Sequence, residues 1–556
     1  MKAKAGDDDR SSKAAPLLKT LGLALALGVA AWFAGPLLFP VKPPADFPKL
    51  PDLQKANPDL RALLQRADEE ARRKPGSAEA VGKLGMAYHS NLLYEQAKSA
   101  YRIAARLAPG DHQWAYAQSV LQEENANERE QVPLLHQTVR LKSDHVLALI
   151  KLADWLFKQD RLGEAAQYYE RAAKVPDGGA ELQASFALGR VAARRREWSK
   201  VVEHISPLTR AYPHAAPLYE LLREAHESLG QSDKAAEARQ RMALAKWKAV
   251  PPLEDPFNEH LIGLSYSSTR LLKHAGLLSR MGQADRAIEV GRRAAQADPT
   301  DADVRNFLAR TLLTFYGDKP DAVDEALTQL DECLRLRPED PVPLGGVADD
   351  FFKSPKPPAA VARLRAMLRS RAKLPGVHFF LGQAAQELGE TEEAVTQYTA
   401  ALKETPRNSA IYNKLGLIAE SAGRDGEAIA HFQKAVQLNP LNASARLNLA
   451  IELVQRGNYV QGLKELDELL RINPHDAAAH FCMAFALLTI RRTDEAISKF
   501  RQGLLYKPDD AEAHFGLGSA LAAQGKMQDA STELREALRL RPDHRRARDL
   551  LDQLER

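Results

Sequence analysis

Catalysis needs side chains that attack, coordinate or move protons at short range, and a handful of places in this 556-residue chain carry suitable residue types. His226-Glu227 opens like the helical zinc-protease motif, in which a second histidine one turn on completes the metal site; here Gly230 stands in that place. Gly518 to Lys526 ends in Gly-Lys as a phosphate-binding loop does, but its glycines are too far apart to cradle a phosphate. Gly263-Leu264-Ser265-Tyr266-Ser267 lacks the second glycine that lets a nucleophilic serine sit on a sharp strand-to-helix turn. His378, His480 and His514 recur at one position relative to a following Phe379, Phe481 and Phe515, the pattern of a metal or pH-sensing ladder, yet Tyr412 and Arg446 take the same slot elsewhere. The two cysteines, Cys333 and Cys482, are too few for a disulfide framework, a cysteine-rich zinc module or haem attachment. No constellation survives. The expectation is a protein that is not an enzyme and has no catalytic, cofactor-binding or metal-binding residues.

The elements that would have to position such groups are equally informative. The chain is 45% hydrophobic, 27% charged and 6% aromatic, too long for one ordinary domain and too polar for a polytopic membrane protein. Lys plus Arg is 77 against 73 Asp plus Glu, a net charge of +4 that gives no reason to expect a nucleic-acid partner. No small-molecule substrate is implied either. The organisation comes from self-comparison: Pro406, Pro440, Pro474, Pro508 and Pro542 stand 34 residues apart. In register with them run the small residues Gly382, Gly416, Ala450, Ala484 and Gly518, then Ala394, Ala428, Gly462, Ala496 and Ala530. The large residues Tyr398, Phe432, Leu466, Phe500 and Leu534 follow. Each unit reads as two helices joined by a turn that usually holds a glycine (Gly389, Gly423, Gly457, Gly525), with proline ending the second helix.

That length, those small slots, the bulky residue near slot 24 and the proline near slot 32 resemble the tetratricopeptide repeat (TPR) family. Upstream, Leu84, Gly85, Tyr88, Ala97, Tyr101, Ala104 and Pro109 fill the same slots, and further units start near Asp111, Val146, Leu182, Ala216, Ser268, Ala302 and Pro341. The resemblance implies an all-α fold, a right-handed superhelical solenoid of about 13 helix-turn-helix units. Some units depart from the pattern. The one near Ala302 has extra residues around Tyr316-Gly317-Asp318-Lys319-Pro320, and in the one from Pro341 the stretch Phe351 to Pro358 replaces the usual turn. Residues 250–267, VPPLEDPFNEHLIGLSYS, interrupt the repeats and read as a segment that either packs across the solenoid or forms a binding loop.

Ahead of the repeats, residues 20–39 form an uncharged apolar run just long enough to cross the ~30 Å hydrocarbon core as a helix. Lys2, Lys4, Arg10, Lys13 and Lys19 precede it, which puts the N-terminus in the cytoplasm. The expected organisation is a cytoplasmic tail (1–19), a transmembrane helix (20–39), a Pro-rich spacer (40–58), an N-terminal array with capping helix (59–249), the interrupting loop (250–267) and a C-terminal array with capping helix (268–556). The location is then a single-pass inner membrane protein with a periplasmic array. A cleaved signal peptide ending near Val29-Ala30-Ala31 is the other reading, and would give a secreted or periplasmic chaperone.

Without catalysis, function must lie on a surface, and the resemblance implies the face lined by the first helix of each unit. In the C-terminal array its apolar members are Phe379, Leu417, Leu447, Ile451, Val454, Phe481, Phe485, Leu488 and Phe515. They read either as a stripe suited to an apolar helix or extended segment, or as side chains that superhelical curvature buries against neighbouring helices. The N-terminal array offers Ile150, Asp154 and Phe157, then Phe186, Arg190 and Ala193, then the acidic Glu220, Glu224 and Glu227. The expected function is a membrane-anchored scaffold that binds a protein or peptide partner through the C-terminal stripe. The alternative is an accessory or regulatory subunit of a membrane enzyme complex, such as one for glycan or polysaccharide synthesis or export.

Overall fold

The computed structural model describes residues 42–555, apart from 55, 177–178, 246–249 and 252. The expected transmembrane run at 20–39 and the tail before it lie outside the described residues. Among the described residues no helix is long and apolar enough to cross a membrane.

All regular structure in the described residues is helical, in 29 helices that fall into two compact units dividing at Pro299 and Thr300. In the first unit, α1 (Pro58–Arg73) precedes five helix pairs. These are α2 (Ala78–Ser90) with α3 (Tyr94–Leu107), α4 (His112–Glu124) with α5 (Glu128–Leu141), α6 (Val146–Lys158) with α7 (Leu162–Ala173), α8 (Glu181–Arg194) with α9 (Trp198–Ala211), and α10 (Ala216–Ser228) with α11 (Ser232–Leu244). A short α12 (Pro256–Gly263) and a sixth pair, α13 (Ser268–Arg280) with α14 (Ala284–Ala297), complete it. The second unit has seven pairs: α15 (Ala302–Tyr316) with α16 (Pro320–Leu336), α17 (Pro341–Phe351) with α18 (Pro358–Arg369), α19 (Val377–Glu387) with α20 (Thr391–Glu404), α21 (Ser409–Ser421) with α22 (Asp425–Leu438), α23 (Ala443–Gln455) with α24 (Tyr459–Ile472), α25 (Ala477–Thr489) with α26 (Thr493–Tyr506), and α27 (Ala511–Ala523) with α28 (Met527–Leu540). It ends on α29 (Arg545–Leu554).

The proline period has a local cause. Pro440, Pro474 and Pro508 each stand two residues before an N-cap, and the caps Asn442, Asp476 and Asp510 accept from the backbone N–H three residues on, at 3.1, 2.9 and 3.0 Å. Proline ends one helix, and the cap opens the next. Within most pairs the chain reverses through one left-handed residue. It is Leu92, Ala126, Asp160 or Arg196 (φ 63, 52, 58 and 58°) early in the chain, and Gly389, Gly423, Gly457, Arg491 and Gly525 later. The irregular units keep the helix pair. Pro320 and Pro358 each sit at the first position of a second helix, where a missing N–H costs nothing, so prolines that read as breaks in the sequence start α16 and α18.

The two helices of a pair meet where a first helix has no side chain. A Cβ on Gly85 would lie 2.7 Å from the Tyr101 ring, on Gly382 2.6 Å from Tyr398, on Gly416 2.5 Å from Phe432, and on Gly518 2.9 Å from Leu534. Tyr101, Tyr398, Phe432 and Leu534 are fully buried at these contacts. Tyr-, Phe- and Leu-sized groups thus fill the space that the small residue vacates, the close packing on which a helix pair depends.

Residues 42–54 lie along α1. Phe47 is 9% exposed beneath the Arg72 guanidinium, 5.0 Å from the ring centroid, and Arg61 donates to the carbonyls of Leu53 and Gln54 at 3.1 and 2.8 Å. The apolar Phe47, Leu50 and Leu53 explain why this Pro-rich stretch docks.

Two outcomes test this packing by urea unfolding followed by circular dichroism. Gly416→Val pushes a side chain into the Phe432 ring and is expected to cost about 1–3 kcal/mol. Gly423→Ala puts a Cβ on a residue at φ 68° and is expected to cost about 1 kcal/mol.

Candidate functional site

The nine predicted partner-binding residues all lie on first helices of the second unit: Phe379 on α19, Leu417 on α21, Leu447, Ile451 and Val454 on α23, Phe481, Phe485 and Leu488 on α25, and Phe515 on α27. Their surroundings differ. Phe481 is only 8% exposed, because its ring falls into the gap left by Gly503 on α26, 2.3 Å from where a Cβ would be. The Phe485 ring stands edge-on to Phe500 at 4.9 Å and crowds Gly516 of the next pair. Phe515 lies between His544 and the Arg546 guanidinium, each 4.9 Å from its centroid, and Val454 covers Gly462. Phe379 packs on Phe380 and Tyr398, at 5.2 and 6.1 Å. Leu417, Leu447, Ile451, Val454 and Leu488 are half-buried, as are Phe379, Phe485 and Phe515; of the nine only Phe481 is buried. Gly503, where other units have Ala401, Ala435, Leu469 and Ala537, is the signal in the sequence that marks Phe481 as packed.

The residues that first suggested chemistry have structural partners. His480 Nε2 and His514 Nε2 donate to the carbonyls of Pro474 and Pro508, six residues back, at 3.0 and 2.9 Å, and Arg446 does the same to Pro440 at 2.9 Å. His378 meets Gln397 at 2.7 Å. The shared slot therefore ties a first helix to the turn before it or to its own second helix. His226 meets Gln231 across the α10–α11 turn, and Glu227 pairs with Arg223 and Arg239. Burial pushes the Cys333 and Cys482 thiols up to about 11, which keeps both protonated and unreactive. Among the described residues no group of His, Cys, Asp and Glu could hold a metal ion.

In the first unit the interrupting segment packs on the first-helix face. Gln183 on α8 donates to the Pro251 carbonyl at 2.9 Å, and the Tyr116 hydroxyl on α4 donates to Asp255 at 2.7 Å. Asp255 also caps α12 through the N–H groups of Phe257 and Asn258. The Phe257 ring sits among His89, Tyr101 and Tyr116, 6.0–6.5 Å between centroids. Beyond α12, the Ser265 hydroxyl donates to the Ser90 carbonyl at 2.8 Å and the Tyr266 N–H donates to Asn91 Oδ1 at 2.8 Å. An ion pair between a buried arginine and a half-buried glutamate completes the contact. Arg270, 7% exposed, grips Glu124 with two nitrogens at 2.9 and 2.7 Å and also donates to the His89 carbonyl. Burial would raise the Glu124 carboxyl, but His89 and Arg270 outweigh it and bring it down to about 2. Burial holds His89 below its usual range and so uncharged near neutral pH, which leaves Arg270 as the counter-charge.

Farther along the same unit the face is open. A cleft of about 720 Å³ lies across α6, α8 and α10, lined by Phe157, Arg190, Arg194, Trp198, Leu221 and Glu224 among others. Arg190 and Arg194 stack over the Phe157 ring at 4.7 and 6.0 Å.

TPR family descriptions match residues 132–181, 379–443 and 483–545, and a second one matches 420–484. Those segments carry tetratricopeptide repeats, and the described residues form an all-α array of helix pairs. Among solved structures the chain is similar to YrrB, described as a TPR protein with an unusual peptide-binding site (22% identity, 33% of this chain and 95% of that one, TM-score 0.30). It is also similar to MamA (22% identity, 30% and 90% covered, TM-score 0.28) and to yeast Tom70 (16% identity, 87% and 96% covered, TM-score 0.37). No curated protein matches.

The Glu124–Arg270 pair should be visible in acid. Because the folded carboxyl ionises at about 2 and an unfolded one near 4.5, the contacts of Glu124 with His89 and Arg270 stabilise fully above pH ~4.5 and fade as pH falls toward ~2. The urea midpoint of the wild type should therefore drop over that window by more than that of Glu124→Gln, which has no proton to gain there.

Proposed function

We propose that this chain is a non-enzymatic scaffold, anchored in a membrane by residues 20–39 with its array on the outer side, that holds an apolar segment of a partner polypeptide. The observation that carries the binding part is the row of half-buried aliphatic side chains, Leu417, Leu447, Ile451 and Leu488, on consecutive first helices of the second unit. Side chains with part of their surface left to water gain from a partner that covers it, at roughly 25 cal/mol per Å². The Asn413 and Asn448 amides, 3.0 Å apart beside that row, offer hydrogen-bonding groups to a partner backbone. The anchor rests on the uncharged run and on the five lysines and arginines before it.

A photo-crosslinking residue at position 451 of the full-length protein, in intact membranes, tests the partner site. A discrete crosslinked polypeptide is expected, and Leu447→Glu should reduce it about tenfold or more with helicity unchanged; crosslinks indifferent to Leu447→Glu would overturn the assignment. For the anchor, protease added to spheroplasts should digest the array while carbonate leaves the chain in the membrane. A protected array would put the partner in the cytoplasm instead.

A further inference from the structure

The open cleft across α6, α8 and α10 has a character that the apolar row of the second unit lacks. Three arginines, Arg190, Arg194 and Arg196, line it against one carboxylate, Glu224. Among the described residues Arg190 and Arg196 have no carboxylate within ion-pair distance, Arg190 acting on Asp154 only at longer range, while Arg194 lies 3.5 Å from Asp160. The aromatic rings explain how unpaired cations are held in place. Arg190 lies 4.7 Å from the Phe157 centroid, so the ring fixes the guanidinium plane and leaves its N–H edge for a carboxylate. Trp198, Leu221 and Ala193 supply apolar wall beside these charges. A second cleft of about 310 Å³ shares Phe157 and Arg190 with the first and runs on past Lys151 and Lys158. Two of its carboxylates are already engaged: Glu123 by Lys151 at 2.5 Å, and Asp154, which burial pushes up in pKa, by the Tyr169 hydroxyl at 2.5 Å.

We propose that this paired cleft binds an acidic polypeptide segment, with Arg190 and Arg196 taking its carboxylates and Phe157, Trp198 and Leu221 taking an adjacent apolar side chain. Charge complementarity selects the occupant. Carboxylates supply what the two unpaired arginines lack, and fork-shaped guanidinium groups bind them with two parallel hydrogen bonds. A nucleic-acid strand fits less well, because its charge is continuous, whereas a peptide can set neutral residues opposite Glu224 and Glu128 and an apolar side chain against Leu221. The site stands on the first unit alone, so its failure would leave the apolar row of the second unit untouched.

The test is calorimetric titration of the full-length protein with a ten-residue peptide of alternating glutamate and leucine, acetylated and amidated so that only side chains carry charge. Binding is expected, weakened about tenfold by Arg190→Ala and partly restored by Arg190→Lys, which keeps the charge but loses the fork. Binding should also weaken between about 50 and about 500 mM NaCl, and a lysine–leucine peptide of the same length should not bind. Arg190 is exposed, and circular dichroism confirms that the variants are folded. Equal affinity for Arg190→Ala, no binding of the acidic peptide, equal binding of the lysine–leucine peptide, or tighter binding of an oligothymidylate would each overturn the assignment.

Discussion

A glycine or alanine on most first helices, sixteen positions ahead of a large side chain on the second, sets the distance between the helices of those pairs. Gly85 with Tyr101, Gly382 with Tyr398 and Gly416 with Phe432 show it most plainly, because the ring occupies the volume that a Cβ would need. The same spacing joins Ala153 to Tyr169 and Ala484 to Phe500, all four fully buried. Everything else leans on this contact. It buries the inner stripe of the first helix, which leaves the neighbouring stripe as the place where side chains can meet something outside the pair. Arg446, His480 and His514, which reach back to a proline carbonyl, then tie three of the pairs to the turn before them.

The two units use that exposed stripe differently. In the first unit part of it is covered by the chain's own residues, with Phe257 among aromatic rings, Asp255 on Tyr116, and Arg270 closing on Glu124. Where the cover stops, an arginine-lined cleft opens. In the second unit the stripe is apolar and, Phe481 apart, half-buried, and its rings also touch neighbouring helices. One fold thus presents surfaces of two chemistries: burial of apolar area drives one, and unpaired charge the other.

The helix pairs were legible because the repeat writes its packing into fixed slots. The small residue, the ring, the proline and the N-cap each recur at 34 residues, and every recurrence adds to the same reading. Contacts with no period were not legible. Tyr116 to Asp255 spans 139 positions and Ser90 to Ser265 spans 175, and neither residue type announces its partner. Phe481 shows the limit within the repeat itself: its slot matches Phe379 and Phe515, and only a glycine on the facing helix decides that this ring goes inward. The prolines near α16 and α18 misled in the opposite direction, since the residue that ends a helix also starts one well.

Hydrogen–deuterium exchange of the full-length protein tests most directly whether the first unit's face is filled by its own chain. Amides of α12 and of Tyr266, whose N–H donates to Asn91 Oδ1, should exchange as slowly as those of α2 and α4 beneath them. Exchange of residues 256–266 within seconds, with α2 and α4 still protected, would contradict a face closed by this segment.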